Sequence, residues 1–256
     1  MHVCFFDIDG TLLNTGGAGQ AAMELALAAE FQFEGGKRKA EGGKPGNGDR
    51  QVSQLSGSRP STLDSRLLYA GRTDRAIVTD LFKFFGVEPD EERWLRFLSA
   101  YLRHLPDNLR NRTGMLLPGI VRLLDELHRR DDVLLGLLTG NVREGARLKL
   151  AHFNIHGYFA FGGYGDEHHH RDDVAGAALR EAERFHGGTF AADRVWVIGD
   201  TPADVQCARA IGANAVAVAT GTYDRSELQV AAPDHLFDDF LDPTGLLALL
   251  GTPGNR

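Results

Sequence analysis

The chain has too little cysteine to be held together by disulfides. Cys4 and Cys207 are its two, and each sits in an apolar stretch where a free thiol behaves as a small hydrophobe. A reducing compartment is favoured. The sequence also lacks any apolar run near the roughly 20 residues that span a bilayer, and its start has neither the basic residues nor the small-residue cleavage site of a secretion signal. A cytoplasmic location without a membrane partner is the expectation. Positive charge is scarce as well: 28 Lys and Arg stand against 35 Asp and Glu, a formal net charge of −7. No helix carries a long basic run, so a phosphate backbone meets repulsion and nucleic acid is not an expected partner. What the sequence does have is an ordinary globular balance. Over 256 residues, 43% are hydrophobic and 25% charged, enough for one sizeable core and a smaller satellite.

Residues 2–8 form a short apolar run that stops at Asp9, Gly10 and Thr11, as a buried strand stops at a loop. The segment 17–31, rich in Ala, Leu and Met, reads as helix. The pattern breaks at 35–65, a window with seven glycines, two prolines and four aliphatic residues (Ala40, Val52, Leu55, Leu63). It cannot bury much, so an exposed insertion is expected there. Its six Lys or Arg against three acids leave a phosphate-attracting flap as the functional alternative. Apolar residues then recur at helical spacing over 73–85 and 90–105, where Phe82, Phe85 and Trp94 read as core of an amphipathic pair. Pro118 is expected to open a helix reaching about Arg130, and 133–138 reads as a buried strand. Helix, strand and helix then alternate over 142–153, 158–161 and 172–185, followed by strand 195–198, helix 202–211 and strand 215–218. No internal repeat is visible. Such alternation predicts an α/β fold with a parallel sheet covered on both faces, whose ligands sit at the carboxyl ends of the strands.

Three predicted strands end in polar clusters: Asp7 with Asp9, Thr139 with Asn141, and Asp200 with Asp204. Gathered at one sheet edge, carboxylates repel unless a cation or a proton neutralises them. Oxygen-only donors favour a hard, octahedral Mg²⁺, and the lack of nearby Cys and His pairs disfavours zinc. The adjacent histidines 168–170 point in different directions and read as a polar loop near the rim rather than a metal site.

The strings Asp7-Ile8-Asp9-Gly10-Thr11, Leu138-Thr139-Gly140-Asn141 and Ile198-Gly199-Asp200-Thr201-Pro202-Ala203-Asp204 resemble, in order and separation, three motifs of the haloacid dehalogenase superfamily. The resemblance implies a Rossmann-like α/β core, residues 1–15 and 112–256, with an inserted α-helical cap over 16–111 that contains the 35–65 insertion. It implies that Asp7 attacks phosphorus and forms an aspartyl-phosphate, and that Asp9 protonates the leaving alkoxide and later takes a proton from water. Mg²⁺ would be held by Asp7, the Asp9 carbonyl and Asp200, with Asp204 as a direct or indirect partner. A halide needs no such proton, so Asp9 argues against dehalogenation.

Thr139 and Gly140 are implied phosphoryl contacts. Asn141 joins them, caps the helix that follows, whose backbone N–H groups face the anion, or does both. The remaining motif needs a cation, and Arg171 is the residue on offer, its alternative being a surface ion pair with Asp172 or Asp173. Asp204 also fits a capping box with Thr201 ahead of Pro202. Within the cap, Ala70-Gly71-Arg72-Thr73-Asp74 resembles the substrate loop of phosphoglycolate phosphatase-like caps, where Arg72 would pair with a substrate carboxylate. The alternative is an ordinary helix start with Thr73 as its cap. Gly16, Gly17 and Gly19 read as a hinge for the cap or as simple helix entry. The implied activity is a Mg²⁺-dependent phosphatase acting on a small phosphorylated metabolite such as phosphoglycolate. A β-phosphoglucomutase-like phosphomutase and a catalytically silent module on the same fold remain alternatives.

Overall fold

A computed structural model describes residues 1–31, 33–34, 37–38, 69–166 and 168–251. The expected glycine-rich insertion lies outside the described residues except for Lys37–Arg38, which pairs antiparallel with Phe33–Glu34. The principal elements run β1 (His2–Phe6), β2 (Leu13–Asn14), α1 (Ala18–Phe31), α2 (Asp74–Phe84), α3 (Glu91–Asn111), β3 (Met115–Leu116) and α4 (Ile120–His128). They continue with β4 (Val133–Leu138), α5 (Arg143–His152), β5 (Phe161–Gly163), α6 (Arg171–His186), β6 (Val195–Gly199) and α7 (Pro202–Ala210). The last are β7 (Asn214–Val218), α8 (Arg225–Val230), β8 (His235–Phe237) and α9 (Thr244–Leu249). Among the described residues, no helix is long and apolar enough to cross a membrane.

The main sheet has six strands in the order β8-β7-β6-β1-β4-β5, and every pairing is parallel. β1 lies between β4 and β6, with Phe6 opposite both Leu137 and Ile198. A strand flanked on both sides and both faces must be apolar throughout, and every residue of His2–Phe6 is buried. Successive side chains point to opposite faces. Cys4 and Phe6 join Leu123, Leu127, Ile155 and Trp196 on one side, while Val3 and Phe5 join Val174, Ala178, Val197 and Cys207 on the other. Both cysteines are free, and burial pushes each thiol up to about 12. They are core-filling rather than reactive.

α1, α2 and α3 build a separate apolar cluster around Ala22, Ile77, Phe82, Trp94, Phe97 and Tyr101, joined by Val142 from the sheet side. Burying side chains such as Phe82 and Phe97 contributes about 1.5–3 kcal/mol each. The chain leaves and re-enters the sheet region through adjacent strands, since Leu13 and Asn14 of β2 pair antiparallel with Leu116 and Met115 of β3.

Four expectations about elements need correction. Pro118 does not open α4. The N-cap is Gly119 at φ +80, and a Cβ there would stand 1.7 Å from the Phe240 carbonyl oxygen, so the chain turns at Gly119 and the helix starts one residue later. α3 continues to Asn111 with Pro106 inside it, because the buried stripe carries on through Leu105 and Leu109. The strand expected at 158–161 is a 3-10 turn at His156–Tyr158 followed by β5. α6 begins at Arg171 itself, with His170 as N-cap.

Candidate active site

The carboxyl ends of β1, β4 and β6 bring the three polar clusters together at one cavity of about 400 Å³. Its wall includes Asp7, Asp9, Gly140, Asn141, Arg171 and Asp200. Asp7 follows β1 directly and its backbone N–H donates to the Ile198 carbonyl at 3.0 Å, so the sheet itself fixes it. Carboxylate oxygens of Asp7, Asp200 and Asp204 lie within 4.8 Å of one another, all buried. Among the described residues Asp7 Oδ1 has no hydrogen-bond partner, an arrangement that costs free energy unless a ligand completes it. Burial is the largest effect on Asp7 and pushes its carboxyl up to about 7, with Arg171 pulling the other way. Asp200 is held well above the usual carboxylate range by burial and then by Asp204 and Asp7.

Backbone is packed tightly around Asp200. A Cβ on Gly10 (φ +91) would come within 2.3 Å of Asp200 Oδ2, and one on Gly221 within 1.7 Å. Thr11 Oγ1 donates to Asp200 Oδ1 at 2.8 Å. A rigid cluster of oxygen donors with an unsatisfied buried carboxylate fits Mg²⁺, which demands hard ligands in near-ideal geometry. Asp204 is more occupied. Its Oδ2 accepts from Thr201 N at 3.0 Å and Thr201 Oγ1 at 2.7 Å, completing the capping box of α7, and its Oδ1 accepts from Arg171 Nη2.

Arg171 is buried, with Nη2 also 3.7 Å from Asp7 Oδ1. Burial works against its charge, but Asp204 and then Asp7 more than offset this and raise its affinity for the proton. It is therefore a fixed cation facing the nucleophile candidate, not a surface partner of Asp172 or Asp173.

The loop after β4 departs from expectation. Thr139 is fully buried. Its hydroxyl favours the ionised form of the nearby Asp7 carboxyl and accepts from the Asn141 amide at 2.9 Å, while Gly140 and Asn141 face the cavity. Asn141 does not cap α5, whose N-cap is Val142 without a side-chain bond of its own. Two N–H groups at that helix end are not open to an anion either. Val142 N donates to Asp74 Oδ2 at 2.9 Å and Arg143 N to Asp166 Oδ2 at 2.7 Å, so both are taken by carboxylates from elsewhere in the fold. Burial pushes the Asp74 carboxyl up to about 6.

Asn141 instead serves Asp9: its Nδ2 donates to Asp9 Oδ2 at 2.9 Å. Lys149 does the same at 2.6 Å and also donates to Asn141 Oδ1 at 2.6 Å. Lys149 is the functional-site residue the motifs did not single out. Its one signal is position, since it falls three and four residues after the buried Ala146 and Gly145 on α5 and so on the buried face.

Arg72 lines the same cavity and pairs with Asp80. Thr73 caps α2 as expected, accepting from Ala76 N at 3.1 Å. The segment around it is fastened to the sheet side. Asp74 N donates to the Gly140 carbonyl at 2.7 Å, Thr73 Oγ1 to the His169 carbonyl and Arg75 Nη1 to that of Asp166, both at 3.1 Å.

The sequence profile of haloacid dehalogenase-like hydrolases matches residues 1–212. The chain belongs to that family. This haloacid dehalogenase-like hydrolase is 27% identical over 254 residues to the phosphoglycolate phosphatase of Salmonella typhimurium strain LT2, covering 97% of this chain and 92% of that protein. It shares its fold with a hydrolase from Pseudomonas syringae, at TM-score 0.66 and 21% identity over 98% of this chain and 100% of the other. CbbY from Rhodobacter sphaeroides, solved with phosphate, superposes at TM-score 0.67 and 19% identity, with 94% and 96% covered. The family makes the protein a hydrolase, and its curated relatives include phosphoglycolate phosphatases.

The two raised carboxyls set a pH-dependent expectation. A folded-state pKa above the usual value means that their stabilising contribution is present in acid and lost as pH rises, for Asp7 through about 7. A bound cation removes that loss. Saturating Mg²⁺ is therefore expected to raise Tm by about 5–10 °C at pH 8, from roughly 2.7 kcal/mol at one hundred times Kd, with the gain fading towards pH 5. Melting curves with Mg²⁺ or EDTA check this, and an equal gain at both pH values contradicts it.

Proposed function

We propose that the protein hydrolyses a small phosphate monoester through an aspartyl-phosphate on Asp7, with 2-phosphoglycolate as the leading substrate. The observation that carries this reading is the buried Asp7 Oδ1, which has no hydrogen-bond partner among the described residues, on the wall of a cavity that also holds Arg171 and Asp200. An oxygen already saturated with hydrogen bonds is a poor nucleophile, and this one is not saturated.

In the proposed reaction Asp7 attacks phosphorus in line with the ester oxygen. Arg171 neutralises a phosphoryl oxygen and keeps Asp7 ionised, with Gly140 and Asn141 at the phosphoryl group and Thr139 orienting Asp7 from behind. Asp9 supplies a proton to the leaving oxygen and recovers one from the water that cleaves the phosphoenzyme. Asp7, Asp200 and the Asp9 carbonyl would hold Mg²⁺, with Asp204 beside them. The ion would lessen the repulsion between carboxylate and phosphoryl group. We read residues 16–111 as the cap that selects the leaving group, and the free, buried thiols fit a reducing cytoplasmic setting.

The Arg72 role is tested by substrate. A substrate carboxylate would take the place of Asp80 on the guanidinium, a charge-assisted bond of about 1.5–3 kcal/mol. Arg72→Ala should then raise KM for 2-phosphoglycolate about 10- to 100-fold while leaving that for p-nitrophenyl phosphate within about threefold. A uniform change for both esters removes Arg72 from the substrate site. Phosphate-release assays over a panel of small phosphorylated metabolites test the hydrolase itself, and accumulation of an isomerised sugar phosphate without free phosphate would point to a phosphomutase.

A further inference from the structure

The hydrogen bonds around Asp9 are one-sided. Both of its protein donors, Asn141 Nδ2 and Lys149 Nζ, reach Oδ2, and among the described residues none reaches Oδ1. The Asp9 side chain is 40% exposed and lines the cavity beside Asp7. An oxygen that already accepts two N–H donors has little capacity left for a proton of its own. Oδ1 is the Asp9 oxygen left without a protein donor among the described residues.

Lys149 is the keystone of that arrangement. Its side chain is only 5% exposed, and burying an ammonium costs several kcal/mol that an apolar residue in the same place would not incur. Stability is therefore a weak reason for a lysine here. Its ammonium holds Asp9 directly and also fixes the Asn141 amide by donating to Oδ1 at 2.6 Å, while Thr139 Oγ1 accepts from Nδ2 of that amide. Removing Lys149 would thus loosen both groups that hold Asp9. Space has been left for it: a Cβ on Gly19 would stand 3.3 Å from Nζ. Gly19 is not among the glycines with positive φ, so room for Lys149, rather than backbone freedom, explains this glycine.

We propose that Lys149 is the positioning residue of the acid/base step, clamping Asp9 by Oδ2 so that Oδ1 meets the leaving-group oxygen. The proposal rests on the hydrolase reading above. In the first step the Asp7 oxygen–phosphorus bond forms, the ester oxygen–phosphorus bond breaks, and the Oδ1 proton passes to the departing oxygen. In the second, water attacks phosphorus, gives one proton back to Oδ1 and releases Asp7 as carboxylate and the product as phosphate.

The test compares an ester that needs the proton with one that does not. Phosphoenzyme formation is followed by acid quench in the first turnover, in Mg²⁺ buffer, with 2-phosphoglycolate and with p-nitrophenyl phosphate. For Lys149→Met, the alkyl ester should slow about 100-fold, at the lower end of what general acid catalysis contributes. The aryl ester should slow at least about tenfold less, and KM for both should stay within about threefold. Lys149→Gln, which keeps a shorter donor and suits the case where the methionine variant does not fold, should show the same split. Equal losses for the two esters, or a raised KM at unchanged kcat, overturn the proposal. Absence of phosphoenzyme in the unaltered protein sinks the hydrolase reading and this proposal with it, so the two failures are distinguishable.

Discussion

Asp7→Asn is expected to lower phosphate release by at least about 10⁴-fold, in line with the loss of a covalent nucleophile, without lowering the Tm of the cation-free protein. The two halves of this result have one cause. Asp7 sits buried beside two other carboxylates, and burial holds its carboxyl at about 7, so the charge that reacts is also a charge the fold tolerates poorly. A neutral amide of the same shape relieves the crowding of Asp200 and Asp204 and removes the nucleophile together. Initial-rate assays on 2-phosphoglycolate, paired with melting curves in EDTA, measure both. Unchanged hydrolysis would overturn the proposed function and favour the silent module.

Arg171→Met should be costly in both respects. The guanidinium is buried against Asp204 and stands 3.7 Å from Asp7. Removing it leaves buried carboxylates without their counter-charge, about 3–5 kcal/mol of stability, or roughly 6–20 °C in Tm for a protein of this size. Loss of the cation that faces the phosphoryl group should also reduce kcat about 10²- to 10³-fold. The double variant Arg171→Met/Asp204→Asn separates the effects, because it removes the stranded charge of Asp204 and keeps an acceptor for the capping box of α7 without restoring the cation. Its Tm should recover most of the loss and its kcat should not. Parallel recovery of both would mean that Arg171 only supports the fold.

The legible parts of this protein were those written locally. An uninterrupted run such as 133–138 can scarcely be anything but a buried strand, and it is β4 to the residue. Thr201-Pro202-Ala203-Asp204 carries its own helix start and forms the capping box. The family resemblance added the catalytic roles to residues that folding then gathered. What escaped notice is tertiary. The strands β2, β3 and β8 have two or three residues each, too few to show a period. Helix α5 borrows its capping groups from Asp74 and Asp166, far away in sequence, and Asn141, which looked like the cap, was released for Asp9. Lys149 sits eight residues from Asn141 in an ordinary helix, and only the packed structure reveals what its ammonium touches.

The seam between the helical cluster and the sheet carries a main-chain bond from Asp74 N to the Gly140 carbonyl beside the side-chain bonds of Thr73, Arg75 and Asp74. Glycine is required where the strands of that seam cross: a Cβ on Gly140 would lie 2.0 Å from the Arg72 carbonyl oxygen, and one on Gly165 would lie 2.1 Å from that of Gly140. None of these bonds uses the side chain of Gln20, Tyr69 or Arg72. Gln20, Tyr69 and Arg72 on the cavity wall can therefore be exchanged with the joint intact, which leaves substrate choice open to redesign on a chemically unaltered engine.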